Sequence, residues 1–429
     1  MKTYEHMKDS GYPWMGQIPS HWRDINPKAL FTQRKDRATE GERQLTASQQ
    51  YGVLYQDEYM ALTGSRVVVV QKDFDILKHV EAGDFVISMR SFQGGLEYSS
   101  VSGSISSAYV MLIPNKELVY PPFYRWLLKS SAYIRALQST TDLVRDGQAM
   151  RYSNFAKVRL LVAPIKEQKT IADYLDKYVG QIDSFIEEVH ASMEEYKRWK
   201  ASIIFEAVTK GIDPSASFKD SHDPQIGRIP SGWRLAKVKQ VSKINPPVST
   251  EGLIDETEVS FAPMECIRAD RRIERVALFS DNNSSYSSFN DGDIALAKVT
   301  PCFQNGNICI MENLKNGYCF GSSELFNIRP LTVNPRYLLY FFMTEMFKNG
   351  GVASMTGVAG LQRVSSTYVR NAVMPFPPDD EQQQIVSFLD DQSRKIDKLI
   401  AEKTELIEDL ETYKRSLIYE CVTGKRKVV

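Results

Sequence analysis

The sequence predicts an α+β chain built twice: two tandem globular domains joined by two long helices, with an internal pseudo-two-fold. Three observations predict it. Blocks of sequence recur in one order at a nearly constant offset. Short apolar runs broken by turn residues fill the first part of each copy. A sustained apolar pattern with helical spacing fills the second part. Lys8-Asp9-Ser10 returns as Lys219-Asp220-Ser221, and Gly16-Gln17-Ile18-Pro19-Ser20-His21-Trp22-Arg23 as Gly227-Arg228-Ile229-Pro230-Ser231-Gly232-Trp233-Arg234, both 211 residues on. Gly83-Asp84 returns as Gly292-Asp293, Glu167-Gln168 as Glu381-Gln382, and Ser202 to Thr209 as Ser416 to Thr423. A period this long means duplicated domains, not a solenoid.

The elements follow in order. Residues 1–164 form the first domain with its N-terminal segment. Arg66-Val67-Val68-Val69-Val70, Phe85-Val86-Ile87-Ser88 and Ala108 to Ile113 read as strands between turns, with a helical stretch at Phe123 to Leu137. Residues 165–211 form a long helix that opens after Pro164, where the chain cannot yet be helical. Its apolar or bulky series is Ile171, Leu175, Tyr178, Ile182, Phe185, Val189, Tyr196, Trp199 and Ile203, with Ser192 as a weak step. Residues 212–378 hold a polar linker and the second domain, with Asp293-Ile294-Ala295-Leu296-Ala297 as a strand and Arg336 to Phe347 as helix. Residues 379–429 form the second long helix and tail, with the series Ile385, Leu389, Ile396, Leu399, Leu406, Leu410, Tyr413 and Leu417, interrupted at Gln392 and Lys403. A 3.5-residue repeat over several heptads is a coiled-coil signature. The stripes either pack on each other within one chain, as a spacer, or serve as two dimerisation helices.

Composition narrows the function classes. At 429 residues the chain is too long for one ordinary core. With 42% apolar and 25% charged residues it reads as an ordinary globular protein. The first residues lack a signal core, and no stretch reaches the apolar length that crosses a membrane. The five cysteines form no CxxC pair, so neither a disulfide framework nor a zinc site is expected, and a reducing cytoplasm is. Fifty-three basic and 53 acidic residues balance, which does not favour a nucleic-acid partner but leaves room for a local basic groove.

Catalytic motifs are missing. There is no GxxxxGK[ST] loop and no HExxH, and the five histidines have no ligand spacing. Asp379-Asp380-Glu381 sits at a helix start, where carboxylates favour the dipole. Asn245-Pro246-Pro247-Val248 approaches the Asn-Pro-Pro-aromatic loop of DNA amino-methyltransferases, yet Val248 cannot stack on a base and no glycine-rich turn stands ready for a methyl donor. No catalytic residue, metal or cofactor is expected.

A binding reading remains. The strand at Phe85 runs into Arg90, Ser91 and Gln93; its counterpart runs into Lys298, Thr300, Gln304 and Asn305. Similar types recur at Arg145, Gln148 and Arg151, and at Gln362 and Arg363. Arg, Gln and Asn can pair bidentately with base edges, and Lys and hydroxyls suit phosphates.

Lys8-Asp9-Ser10-Gly11 followed by Gly16 to Trp22, the repeat ending in Trp233, the Pro-x-x-Glu-Gln helix starts at Glu167 and Glu381, and the close at Ser416 to Gly424 together resemble the DNA-specificity subunit of type I restriction-modification systems. The resemblance covers essentially the whole chain. It implies two target-recognition domains, each reading one half of a bipartite site on double-stranded DNA. It implies an antiparallel coiled coil that sets the gap between half-sites, with Ile171, Leu175, Ile182, Val189, Ile203, Ile385, Leu389, Ile396, Leu399, Leu406, Leu410 and Leu417 as its seam. It implies a non-catalytic subunit that assembles with two methyltransferase subunits and with restriction subunits. The competing expectation is a coiled-coil scaffold whose domains bind proteins instead of DNA.

Overall fold

The computed structural model describes residues 3–67, 76–88, 91–140, 150–269, 272–282, 285–357 and 362–428. By contacts the chain divides into two units. Unit 1 is Met1–Val189 with Thr404–Val429, and unit 2 is His190–Lys403. Each unit therefore holds one globular part, the near half of one long helix and the far half of the other.

Unit 1 is organised on a four-stranded antiparallel sheet of β1 (Phe31–Gln33), β2 (Phe85–Ile87), β3 (Glu97–Tyr98) and β4 (Val110–Pro114), in the order β1-β4-β2-β3. Gly83, at φ +102°, makes the turn into β2, and Asp84 closes it by accepting the Glu81 N–H at 3.0 Å. Helix α1 (Pro121–Leu127) starts with proline at its first turn, where a missing N–H costs nothing. The strand Arg23–Ile25 pairs with Leu160–Val162, tying the start of the domain to its end. From there the chain passes Pro164 into α2 (Ile165–Lys210), 46 residues long.

Unit 2 repeats the plan. Strands β5 (Ser242–Ile244), β6 (Ile294–Ala297), β7 (Ile308–Ile310) and β8 (Leu325–Pro330) form an antiparallel sheet in the matching order β5-β8-β6-β7. Helix α3 (Pro335–Met343) is capped by Asn334, whose side chain accepts from the N–H groups of Arg336 and Tyr337. Unit 2 adds a second four-stranded sheet, from Val276–Leu278, Glu258–Ala262, Tyr318–Gly321 and Ser287–Asn290, with the middle pair parallel. After Pro377-Pro378 comes α4 (Asp379–Val422), 44 residues long. No helix among the described residues is long and apolar enough to cross a membrane.

The repeated motifs turn out to be fastenings between each globular part and its helix start. Trp22 is buried, and its Nε1 donates to Glu167 at 3.0 Å; Tyr4 donates to the same carboxylate at 2.9 Å and the His21 ring meets it at 2.7 Å. Burial opposes the charge on Glu167, but these bonds from Trp22, His21 and Tyr4 outweigh it and hold the carboxyl below its usual range. In unit 2, Trp233 Nε1 donates to Glu381 at 2.6 Å. The next residue repeats too. Buried Gln168 accepts the Tyr120 N–H and donates to the Leu118 and Ala163 carbonyls; Gln382 accepts the Asn334 N–H and donates to the Pro377 carbonyl. Both amides satisfy backbone groups that burial would otherwise strand.

In unit 1, Ile171, Leu175 and Val179 of α2 share a core with Leu417, Cys421 and Val422 of α4. In unit 2, Ile204 and Val208 of α2 share a core with Ile385 and Leu389 of α4. Ion pairs cross between the helices in each unit: Lys414 to Asp183 at 2.6 Å in unit 1, and Lys200 to Asp397 at 2.7 Å in unit 2.

The expected seam needs a correction. Ile171, Leu175, Val189, Ile385, Leu389, Ile396 and Leu417 are buried, and Ile182, Ile203 and Leu410 are half-buried. Leu399 and Leu406, however, are 36% and 38% exposed, as are Phe185 at 44% and Trp199 at 51%. The inward positions are their neighbours Ile400, Ile407, Ile186 and Lys200. Along α4 the sheltered residues run Leu389, Ser393, Ile396, Ile400, Lys403, Ile407, Leu410, Lys414 and Leu417, in strict steps of four and three. Polar residues stand at three of these places. Following apolar side chains alone therefore lost the phase by one residue. A lysine stem covers apolar surface while its charged head reaches a carboxylate, as Lys414 does.

Candidate nucleic-acid interface

In unit 2 the strand β6 delivers Lys298 to a loop that pairs with residues 362–364. Thr300 N–H donates to the Gln362 carbonyl at 3.0 Å, Gln362 N–H donates to the Thr300 hydroxyl at 3.1 Å, and Val364 N–H donates to the Lys298 carbonyl at 2.8 Å. Four expected residues, Lys298, Thr300, Gln362 and Arg363, are thus brought together from 62 residues apart in sequence. Phe303 anchors the loop: it is 1% exposed and packs 5.9 Å from Phe347, centroid to centroid. A Cβ on Gly351 would stand 2.3 Å from the Phe303 ring, so only glycine leaves room there. With Phe303 turned in, Gln304 and Asn305 are exposed at the tip.

The two cations of this group are already engaged. Lys298 Nζ donates to the Ser323 carbonyl at 2.9 Å and lies 5.1 Å from the Phe326 ring centroid. Burial lowers its pKa, with Glu324 opposing the change and Arg363 adding to it. Arg363 pairs bidentately with Glu324, at 2.6 and 2.9 Å. Either cation must exchange these partners to reach a phosphate or a base edge.

In unit 1 three of the six expected residues, Ser91, Gln93 and Arg151, are described. Arg90, Arg145 and Gln148 lie outside the described residues. Gln93 is exposed, in the short helix Ser91–Gly94. Ser91 departs from the expectation of a DNA-facing hydroxyl: it is 1% exposed, and its Oγ accepts the Ser88 N–H at 2.9 Å. A serine that closes a turn after a strand is satisfied locally. Arg151 is exposed at the start of the helix Tyr152–Phe155, and Asn154 Nδ2 donates to the Thr140 carbonyl at 2.8 Å, joining the two flanks of segment 141–149.

Sequence reasoning missed a neighbouring feature. A polar cavity of about 500 Å³ opens beside Lys298, between the strand-ending turn at Asn245 and the strand Ser287–Asn290. Its walls come from positions far apart in the chain, and only the Asn-Pro-Pro-Val turn had drawn notice.

Comparisons with known proteins bear on the matched domain and on the fold. A family model described as the type I restriction modification DNA specificity domain matches residues 230–409. The specificity subunit of the EcoAI type I restriction enzyme of Escherichia coli is 35% identical over 192 residues, 44% of this chain and 32% of that one. The EcoEI specificity subunit of the same species is 36% identical over 174 residues, 39% of this chain and 28% of that one. The chain thus spans less than a third of either relative's own length. A solved chain from a structure on complex assembly and conformational transition of the type I R-M system superposes with a TM-score of 0.70 at 14% identity, covering 94% of this chain and 98% of that one. At that identity the likeness is one of fold. Motif pairs, matched domain and fold converge on one likeness: residues 230–409 match the type I restriction modification DNA specificity domain, and the chain as a whole is similar to type I specificity subunits.

Proposed function

We propose that this chain is the sequence-reading, non-catalytic subunit of a type I restriction-modification assembly, and that each unit reads one half of a bipartite site on double-stranded DNA. The observation that carries it is the duplication: one chain presents the same sheet order and the same Trp–Glu fastening twice, with different side chains in the sequence that follows β2 and β6. Two similar scaffolds with different surface residues suit two different half-sites. The reading residues are Gln93 and Arg151, with Arg90, Arg145 and Gln148, in the first, and Lys298, Thr300, Gln304, Asn305, Gln362 and Arg363 in the second.

The long helices act as an antiparallel coiled-coil spacer. In support, the inter-helix ion pairs of the two units, Asp183–Lys414 and Lys200–Asp397, are separated by the same 17 residues on both helices (183 to 200, and 397 to 414). The exposed stripe supports docking of two copies of a methyltransferase subunit, with restriction subunits joining the assembly. Phe185 and Leu399, and Trp199 and Tyr413, stand 214 residues apart, and all four are exposed large apolar residues. Unpartnered apolar stripes of this kind mark protein interfaces.

The test is a genome-wide map of methylated positions in cells that express the chain with its methyltransferase, against cells lacking the chain. A chain-dependent two-part motif with a fixed gap is expected. No chain-dependent motif would refute the reading.

A further inference from the structure

The cavity beside Lys298 is framed by side chains that differ from those at the matching place in unit 1, and the strand registers say why. Arg34 and Asn245 hold equivalent places: each follows the first sheet strand of its unit. Arg34 N–H donates to the Met111 carbonyl at 2.9 Å, and Asn245 N–H donates to the Asn327 carbonyl at 2.6 Å. In unit 1, Arg34 reaches across to the buried Asp84, at 2.6 Å. In unit 2 the same ion pair is built from another strand: Arg329 of β8 reaches Asp293 at 2.7 and 2.8 Å. Moving the arginine one strand over leaves amides, Asn245 and Asn327, where unit 1 has an arginine and a methionine.

Those amides are held in fixed orientation. Asn327 is 3% exposed, and its Nδ2 donates to Asp293 at 2.9 Å and to the Ser288 carbonyl at 2.7 Å. Its Oδ1 is buried with no partner among the described residues, an uncommon and costly condition. Asn245 Oδ1 accepts the Asn327 N–H at 2.9 Å, which turns the Asn245 amide nitrogen away from that bond, and it makes no other among the described residues. Aromatic rings line the same cavity: Tyr286, tilted 40° against Phe320 at 5.4 Å, and Tyr318, which donates to Ser288 Oγ at 2.8 Å. Lys298 also lines it.

We infer that this cavity accepts a single nucleobase free of its stack, supplied by the half-site that unit 2 reads. The inference rests on the DNA-specificity reading above. Its volume falls within the range of small-ligand sites. Fixed amides facing aromatic walls suit a flat ring with a hydrogen-bonding edge, the combination by which proteins hold extruded bases. A bare phosphate is a poor match, because Lys298, the one cation among the described lining residues, is already bonded to a carbonyl and lies over a ring.

The test places 2-aminopurine at each position of both half-sites in turn, with the full chain assembled with its methyltransferase. A severalfold rise in fluorescence is expected at one position in the unit 2 half-site other than the methylated base, with no such rise in the other half-site. Asn245→Asp keeps the acceptor for Asn327 and removes the amide donors; it and Tyr286→Ala abolish the rise while leaving the melting temperature near that of the parent chain. Flat fluorescence throughout the unit 2 half-site, in a complex that still methylates a two-part motif, overturns the inference. Absence of any chain-dependent motif overturns the DNA-specificity reading instead. Adenosine or cytidine monophosphate that binds the full chain by calorimetry, and loses binding with Asn245→Asp, while the duplex stays dark, overturns DNA as the source of the base.

Discussion

Inserting one heptad into each long helix puts the spacer reading to a quantitative test. The insertions belong between Asp183 and Lys200 in α2 and between Asp397 and Lys414 in α4, inside the 17-residue steps that match on both helices. Seven residues preserve the four-three phase of the sheltered positions, so each ion pair and each core keeps its partners. At a rise of about 1.5 Å per residue the helix pair lengthens by about 10.5 Å. With base pairs about 3.4 Å apart along the duplex, that is about three base pairs of added gap. Long-read methylation mapping of cells expressing the lengthened chain reads the gap directly. Both half-site sequences should stay as they were, with the gap about three base pairs wider. An unchanged gap with intact methylation would refute the spacer argument, and altered half-site sequences would show that the insertion disturbed the reading domains. A heptad in α2 alone breaks the match between the ion pairs and should abolish methylation.

Further outcomes follow from the packing. Leu389→Ala removes a fully buried side chain and should destabilise unit 2 by about 2–5 kcal/mol, whereas Leu399→Ala should change stability by under about 0.5 kcal/mol; chemical denaturation separates them, and equal effects would restore the uncorrected seam. Phe185→Ser combined with Tyr413→Ser should weaken co-purification of the methyltransferase at least tenfold without lowering the melting temperature; undiminished co-purification would remove the stripe as a docking surface. Burial pushes the Glu97 carboxyl up to about 7, against the pull of Lys129. A carboxyl raised on folding loses stability as pH climbs from its ordinary value to the raised one, so between about pH 4.5 and 7 unit 1 should lose on the order of 3 kcal/mol. Glu97→Gln should flatten that slope in thermal melts across the window, and an unchanged slope would place the titration elsewhere. Gly424→Ala should destabilise unit 1, because its Cβ would stand 2.3 Å from Pro19 and its φ is +70°; a parent-like melt would mean that the Pro19 turn gives way.

What the sequence disclosed is what repetition makes visible. The Trp and Glu-Gln motifs could be paired by offset before any contact was known, and they prove to be the fastenings at Trp22–Glu167 and Trp233–Glu381. The long helices were legible because prolines precede both and heptads fill them. Their phase slipped only at Leu399 and Leu406, because Ser393, Lys403 and Lys414 occupy sheltered places that hydrophobicity alone assigns to solvent. In the loops, residue type identified Lys298 and Arg363 but not their engagement with the Ser323 carbonyl and with Glu324. Ser91 has the right chemistry for a phosphate and points inward, since a turn's need for a cap is not written in composition. The cavity was illegible for a further reason. It exists because one arginine moved between strands, from Arg34 to Arg329, and only register reveals that exchange.

The composition of unit 1 bears on how the protein is made. Its core draws on Leu417, Cys421 and Val422 as well as on residues from the first half of the chain, and Lys425 Nζ donates to the Met15 carbonyl at 2.5 Å. The first domain leaves the ribosome early, yet its core is whole only once residues 417–422, more than 200 positions later, have been made. Unit 2, His190–Lys403, has all its parts earlier. A chain that stops before Leu417 therefore carries its defect in the domain made first, and such a product is open to proteolysis there.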